Sequence, residues 1–322
     1  MIVFLVDIHI VHTALPMMGQ PVHSLLLFTT LILGSHGYNL NQDHLGLLVG
    51  DGKAESLFGW ALQHFNNELY VGAPGEGGTG ELYSCTDIDR QPKCQKMSAR
   101  LMKGSWFGGS LSASEDNLYA CAFRHGYARY GDDKVFMGKC FEKNGKTMTD
   151  LIDFSGRWSR IGDRIEYYGA YGVSATVSNI SGNLVVGSPY TVDLKGYPHI
   201  YPGSIGLISS KNKLTRTTDK APWGTSDTDL STMKNSFKFA GYSLATGNFF
   251  TGNHESYIVG APKTHNQRGS VYICTNCFNG YTRFRSSDLE VFGLQIGEGF
   301  GSAVAACDIT EDRRDDLIVK VY

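Results

Sequence analysis

Nine residues near the C-terminal end carry the densest chemistry in the sequence. In Asp308-Ile309-Thr310-Glu311-Asp312-Arg313-Arg314-Asp315-Asp316, side-chain oxygens stand at loop positions 1, 3, 5 and 9 (Asp308, Thr310, Asp312, Asp316). Position 7, Arg314, offers its backbone carbonyl. Hard oxygen donors at this alternation suit one Ca2+. Carboxylates crowded into one short turn repel one another unless a cation sits among them. An EF-hand is disfavoured, because position 12 is Val319 instead of Glu and Leu317-Ile318-Val319 reads as strand. The expectation is a cation that pins a turn between two strands; a solvated acidic turn is the plain alternative. Two departures stand out: Thr310 is a neutral donor, and Arg313 occupies position 6, where Gly usually eases the turn. The corresponding stretch Asn248 to Ser256 has Glu255 as its single acid and is expected to hold no metal.

The seven cysteines are the next candidates. Cys85 and Cys94 lie nine apart, and Cys121 and Cys140 nineteen apart. Cys274-Thr275-Asn276-Cys277 reads as a short bridge or as half of a zinc site, and no second CxxC completes four thiolates. Cys307 is left over among Val304, Ala305 and Ala306, which predicts a buried free thiol. Other patterns lead nowhere. Gly75 to Gly80 matches G-x-G-x-x-G, but it runs into Glu81-Leu82-Tyr83-Ser84-Cys85, a strand where a dinucleotide loop needs a helix. The histidines form no close pair, and no Gly-x-Ser-x-Gly elbow occurs. No catalytic constellation is read, and the chain is not expected to be an enzyme.

The scaffold follows from composition and repetition. With 39 Gly, 17 Tyr, 17 Phe and only 9 Pro in 322 residues, the chain reads as short strands joined by tight turns. A hydrophobic share of 42% against 19% charged excludes disorder. A formal net charge of −2 without a basic run argues against nucleic acid as a partner.

One unit recurs. An aromatic-Gly pair opens it, an apolar strand ends in Gly-Ala-Pro or a relative, and a Gly-led strand follows. The opening glycines are Gly59, Gly108, Gly172, Gly241 and Gly301. The strands are Leu69-Tyr70-Val71-Gly72-Ala73-Pro74, Leu118-Tyr119-Ala120-Cys121-Ala122, Leu184-Val185-Val186-Gly187-Ser188-Pro189, Tyr257-Ile258-Val259-Gly260-Ala261-Pro262 and Leu317-Ile318-Val319. The expected fold class is all-β, a propeller whose blades are these units. The aromatic would fill the wedge between sheets, and its glycine would let a neighbouring backbone approach closely. Strands apolar on both faces fit sheets sandwiched by neighbours.

Val22 to Leu33 is apolar and is followed by Gly34-Ser35-His36-Gly37, which reads as a signal peptide over residues 1–37, cut before Tyr38, with Met17 or Met18 as possible starts. No later window is apolar enough for a membrane anchor, so the chain alone is expected to be secreted or retained. Asn179-Ile180-Ser181 is a glycosylation sequon.

Together these units resemble the FG-GAP repeats of integrin α subunits, over residues 38 to about 319. Tyr38-Asn39-Leu40-Asn41 resembles the mature start of those subunits. The resemblance implies a seven-bladed propeller, of which about four and a half blades stand here, and hence an incomplete gene product or truncated isoform. It implies Cys85–Cys94 and Cys121–Cys140 as the first two propeller disulfides. It implies Ca2+ at Asp308 to Asp316, an integrin β subunit as partner, an extracellular-matrix or cell-surface protein as ligand, and a place at the cell surface. Only about 28 residues separate Cys140 from Tyr168 and no Asp-x-Ser-x-Ser motif occurs there, which implies the class without an inserted domain. Tyr197, His199, Tyr201, Trp223 and Asp227, in the long connections around the third and fourth repeats, are the ligand-face residues it suggests. The stretch Lys234 to Phe239 carries no acid, so an Arg-receiving pocket of the Arg-Gly-Asp type is not implied. The rival reading is a secreted FG-GAP protein that binds sugar or protein, or that carries a hydrolase domain outside this sequence.

Overall fold

A computed structural model of the chain describes residues 2–6, 54–87, 92–97, 99–130, 133–153, 160–161, 164–165, 169–178, 180–190, 201–208, 214–216, 237–250, 254–275, 278 and 289–321. The signal-peptide region from residue 7 to 37 lies outside them.

Strands dominate, and each repeat is one antiparallel sheet. The first blade takes Ala61–Phe65, Glu68–Ala73, Glu81–Thr86 and Lys93–Met97 in sequential order. Its opening hairpin turns on Asn66 and Asn67, both at positive φ (49° and 60°), the backbone a two-residue turn between right-twisted strands requires. The second blade takes Phe107–Ala113, Leu118–Ala122, Lys139–Asn144 and Thr147–Asp153. A hairpin, Tyr127–Tyr130 with Asp133–Phe136, is inserted between its second and third strands. The third takes Ala175–Val177, Leu184–Ser188, Tyr201–Ile208 and Leu214–Arg216, with Phe237–Ala240 joining the third strand in parallel. The fourth takes Ser243–Phe250, His254–Ala261, Ser270–Cys274 and Leu289–Phe292. The fifth unit pairs Val304–Cys307 with Asp316–Val321, whose other edge carries Ile2–Val6.

The cores lie between the blades. Leu184 and Val186 pack towards the second blade with Tyr119 and Tyr171, while Val185 between them packs towards the fourth with Leu244 and Val259. Ile258 likewise meets Leu317 and Val319 of the fifth unit. This period-2 division is why the centres of these second strands, such as Leu184-Val185-Val186 and Ile258-Val259, are apolar on both faces. The aromatic of the opening pair fills each joint: Phe107 between the first and second blades, Tyr171 between the second and third, Phe300 between the fourth and fifth. Ala240 takes that place between the third and fourth.

The glycines make the joints tight. A Cβ on Gly72 would stand 2.1 Å from the Gly108 carbonyl oxygen, one on Gly187 1.9 Å from that of Gly241, and one on Gly260 2.1 Å from that of Gly301. Each glycine of the second strand thus sits against the opening glycine of the next blade. The residue two before each opening glycine also adopts positive φ: Leu57 54°, Trp106 60°, Ala170 43°, Phe239 55° and Gly299 61°. Four of the five are not glycine, at a cost of about 1–2 kcal/mol each, so the same strained entry is kept in every blade.

Cys307 departs from expectation. It is free but exposed, because Val304–Cys307 alternates and turns Ala305 and Cys307 outward while Val304 and Ala306 face the core. Small apolar neighbours there mark an edge strand, not an interior one.

Candidate functional site

At the end of the sheets where first strands enter and second strands leave, four blades enclose an aromatic basin of about 670 Å³. Its members come from equivalent positions. Trp60, Val173 and Tyr242 each follow an opening glycine. Trp106 precedes the pair Phe107-Gly108, and Phe123, Arg124 and Tyr190 follow second strands. Phe136 closes the inserted hairpin. Trp60 and Trp106 meet edge to face at 5.9 Å, and Trp106 and Phe123 at 5.5 Å, a favoured geometry for aromatic quadrupoles. The Trp60 indole N–H donates to the Gly109 carbonyl at 3.1 Å, which ties the first blade to the second at the basin wall. The Arg124 guanidinium lies 4.9 Å from the ring centroids of both Trp106 and Phe136. Burial pushes the Tyr190 hydroxyl pKa up, and neighbouring Tyr242 adds to the shift. Trp60 remains 54% exposed and Tyr242 38%, so the basin presents large apolar rings to whatever approaches.

The acidic hairpin lies between the two strands of the fifth unit. Its carboxylates collect amides of their own loop. Asp308 accepts from Asp312 N (3.0 Å) and Arg313 N (2.8 Å), Asp312 from Arg314 N (2.8 Å), and Asp316 from Ile309 N (2.9 Å) and Thr310 N (3.0 Å). Arg313 sits at φ 69°, the left-handed conformation for which Gly would be the ready choice. Each ionised carboxylate has about four lone-pair sites, so these bonds leave acceptor capacity, and the donor set suits a hard cation. Among the described residues no three acidic side chains already converge on one point. The hairpin is tied to the fourth blade: Asn248 N donates to Asp315 Oδ2 (2.7 Å), and Asp315 N donates to the Asn248 carbonyl (3.0 Å).

Cys85–Cys94 and Cys121–Cys140 are disulfides, each joining directly opposed residues of adjacent strands. Cys121 stands where other blades have Gly72, Gly187 and Gly260, and the opening Gly172 packs on it; a Cβ there would be 2.6 Å from the Cys121 Cβ. Cys274 is also disulfide-bonded, and Cys277 lies outside the described residues. The G-x-G-x-x-G stretch forms a 3-10 turn at Glu76–Gly78 and leads into strand Glu81–Thr86.

Of the ligand-face residues suggested by the sequence, Tyr197, His199, Trp223 and Asp227 lie outside the described residues, as does the sequon Asn179. Tyr201 opens the third strand of its blade, where it pairs with Phe237. The basin residues went unnoticed in the sequence. The available signal was the slot after each opening glycine, but its occupants, Trp60, Gly109, Val173, Tyr242 and Ser302, share no type.

Repeated four-stranded antiparallel sheets, packed face to face through aromatic-Gly joints, define an all-β propeller of FG-GAP repeats. The chain is similar to integrin α subunits, which match it at 23–27% identity over 82–93% of its length. Integrin alpha-4 of Xenopus laevis is 26% identical over 332 residues, covering 92% of this chain and 30% of that protein. Integrin alpha-PS5 of Drosophila melanogaster is 27% identical, covering 82% and 27%. Integrin alpha-7 of Rattus norvegicus is 26% identical, covering 92% and 28%. The chain thus spans less than a third of the length of these relatives. No protein-family model matches it. Among the described residues no helix is long and apolar enough to cross a membrane.

Proposed function

We propose that this chain supplies the adhesive head of an integrin α subunit. Its aromatic basin faces an integrin β subunit, and the pair binds an extracellular-matrix or cell-surface protein. The observation that carries this reading is the basin itself: four blades deliver Trp60, Trp106, Tyr190 and Tyr242 to one end of the sheets, three of them (Trp60, Tyr190 and Tyr242) with more than a third of their surface open. Exposed aromatics of this kind make the central contacts of protein interfaces. The role is recognition, not catalysis, and its place is the outer side of the plasma membrane, with a glycan at Asn179 and with export through a signal peptide at residues 1–37, whose removal would also take Ile2–Val6 from the edge of Asp316–Val321.

Ca2+ belongs to this reading as a stiffening ion. Asp308, Thr310, Asp312, Asp316 and the Arg314 carbonyl would hold it. Bound there, it would neutralise the acidic hairpin that Asp315 and Asn248 tie to the fourth blade.

Co-expression with integrin β subunits in a cell line, followed by surface labelling and precipitation through a tag on this chain, tests the proposal. A labelled β subunit is expected in the precipitate at one-to-one stoichiometry, and its recovery is expected to fall at least tenfold in Trp60→Ala/Tyr242→Ala. Folded chain without any β subunit would contradict it.

A further inference from the structure

We propose that Asp315 carries calcium binding across the joint between the fourth and fifth blades: an ion in the acidic hairpin closes a clasp between Asp315 and Asn248. The inference rests on the calcium reading given above. Asp315 stands outside the proposed donor set but between two of its members, the Arg314 carbonyl and Asp316. Its Oδ2 accepts the Asn248 N–H at 2.7 Å, and its own N–H donates to the Asn248 carbonyl at 3.0 Å.

Asn248 can make both bonds because its strand bulges. The register of Ser243–Phe250 against His254–Ala261 shifts between Gly247 and Phe250, and a bulged residue drops out of its own ladder. Both backbone groups of Asn248 go to the neighbouring blade instead. Gly247 lets the hairpin come in close: a Cβ there would stand 2.8 Å from the Ala306 Cβ and 3.1 Å from Asp315 Oδ2.

The bond from Asn248 to the carboxylate is charge-assisted and partly buried. In the absence of a cation, Asp308, Asp312, Asp315 and Asp316 repel one another, which favours geometries in which Asp315 leaves Asn248. A cation held by the Arg314 carbonyl and the Asp316 carboxylate would relieve that repulsion. It would also fix the backbone on both sides of Asp315, and with it the direction of the Asp315 N–H and side chain. An ion that binds the clasped form better shifts the population towards it. Asp315 is therefore a positioning residue. On its other side the fourth blade is fastened by neutral donors: Ser178 Oγ donates to Glu255, and Thr246 Oγ1 to the Val177 carbonyl at 3.2 Å. That joint should not respond to the ion.

The test is amide hydrogen exchange at single-residue resolution on the folded full chain, in calcium and in chelator, beside calorimetry of calcium binding. Calcium is expected to slow exchange of the Asn248 and Asp315 amides about tenfold. The Gly182 amide, which bonds to the Ser178 carbonyl in the hairpin of the third blade, should change little. Asp315→Ala should still bind calcium but lose the slowing at Asn248. Asp315→Asn, which keeps an acceptor oxygen, should restore part of it. Calcium binding without slowing at Asn248, equal slowing at Asn248 and Gly182, or slowing that persists in Asp315→Ala would overturn the proposal and leave the calcium reading standing. No binding of calcium by the wild-type chain would overturn both. The wild-type comparison needs no variant to fold.

Discussion

The hydroxyl of Ser174 in the third blade donates to the carbonyl of Gly241, the opening glycine of the fourth, at 2.9 Å. The same bond runs from Ser110 to Gly172 (2.7 Å) and from Ser243 to Gly301 (2.8 Å). Each serine stands two residues after its own opening glycine, so one short motif both enters a blade and fastens it to the next. Replacing Ser243 with Ala leaves a buried carbonyl short of a donor. We expect a loss of about 1 kcal/mol, read as a lower urea midpoint at unchanged m.

The glycines of the second strands should be far less tolerant. A Cβ at Gly187 would lie 1.9 Å from the Gly241 oxygen, which is backbone and cannot swing away. Gly187→Ala is therefore expected to cost more than about 3 kcal/mol by forcing the third and fourth blades apart. Gly182 has φ 66° but nothing within 4 Å of an added Cβ. Gly182→Ala should cost only about 1 kcal/mol, the strain of a left-handed non-glycine residue. Thermal melts of the two variants, side by side, separate close approach from backbone strain.

These contacts explain what the sequence could disclose. The joint depends on close backbone approach, which glycine provides in three blades and Cys121 replaces in the second, so Gly72, Gly187 and Gly260 stand out at a fixed place and the repeat is legible. Leu184-Val185-Val186 reads correctly as a strand buried on both faces, because both faces meet blades. Cys307 misleads because Val304-Ala305-Ala306 is apolar in composition yet alternates in exposure, and composition carries no phase. The basin is illegible for another reason. Trp60, Arg124 and Tyr242 are far apart in the chain, their slots are held by unlike residues, and only the stacking of blades brings them together.

Stability should fall at both ends of the pH scale, through identifiable groups. Hydrogen bonds from Ser84, and then from Tyr70, hold the Glu68 carboxyl below its usual pKa of 4.5. A lowered folded pKa means the stabilisation is complete above pH 4.5 and is lost as pH falls through the folded value. Burial, followed by the hydrogen bond to Glu76, pushes the Tyr83 hydroxyl up to about 12 from 10. That contribution is complete below pH 10 and is lost as pH rises towards 12. Denaturant midpoints measured against pH should flatten on the acid side in Glu68→Gln and on the alkaline side in Tyr83→Phe.

Calcium should raise the melting temperature of the chain, because an ion that binds only the folded hairpin stabilises by mass action. The gain is about 2.7 kcal/mol when free ion exceeds its dissociation constant a hundredfold. A chelator should remove the gain, and Asp312→Asn should abolish the response while leaving the metal-free melt nearly unchanged. Identical melts with calcium and with chelator would remove the ion from this account.

The pairing face is open to a direct measurement. Hydroxyl-radical labelling of the folded chain, alone and in complex with an integrin β subunit, reports the solvent access of Trp60 and Tyr242 by mass spectrometry. Both should be oxidised readily in the free chain, as their 54% and 38% exposure implies, and both should be protected several-fold in the complex. A complex in which Trp60 and Tyr242 are labelled as fast as in the free chain would contradict docking through the basin.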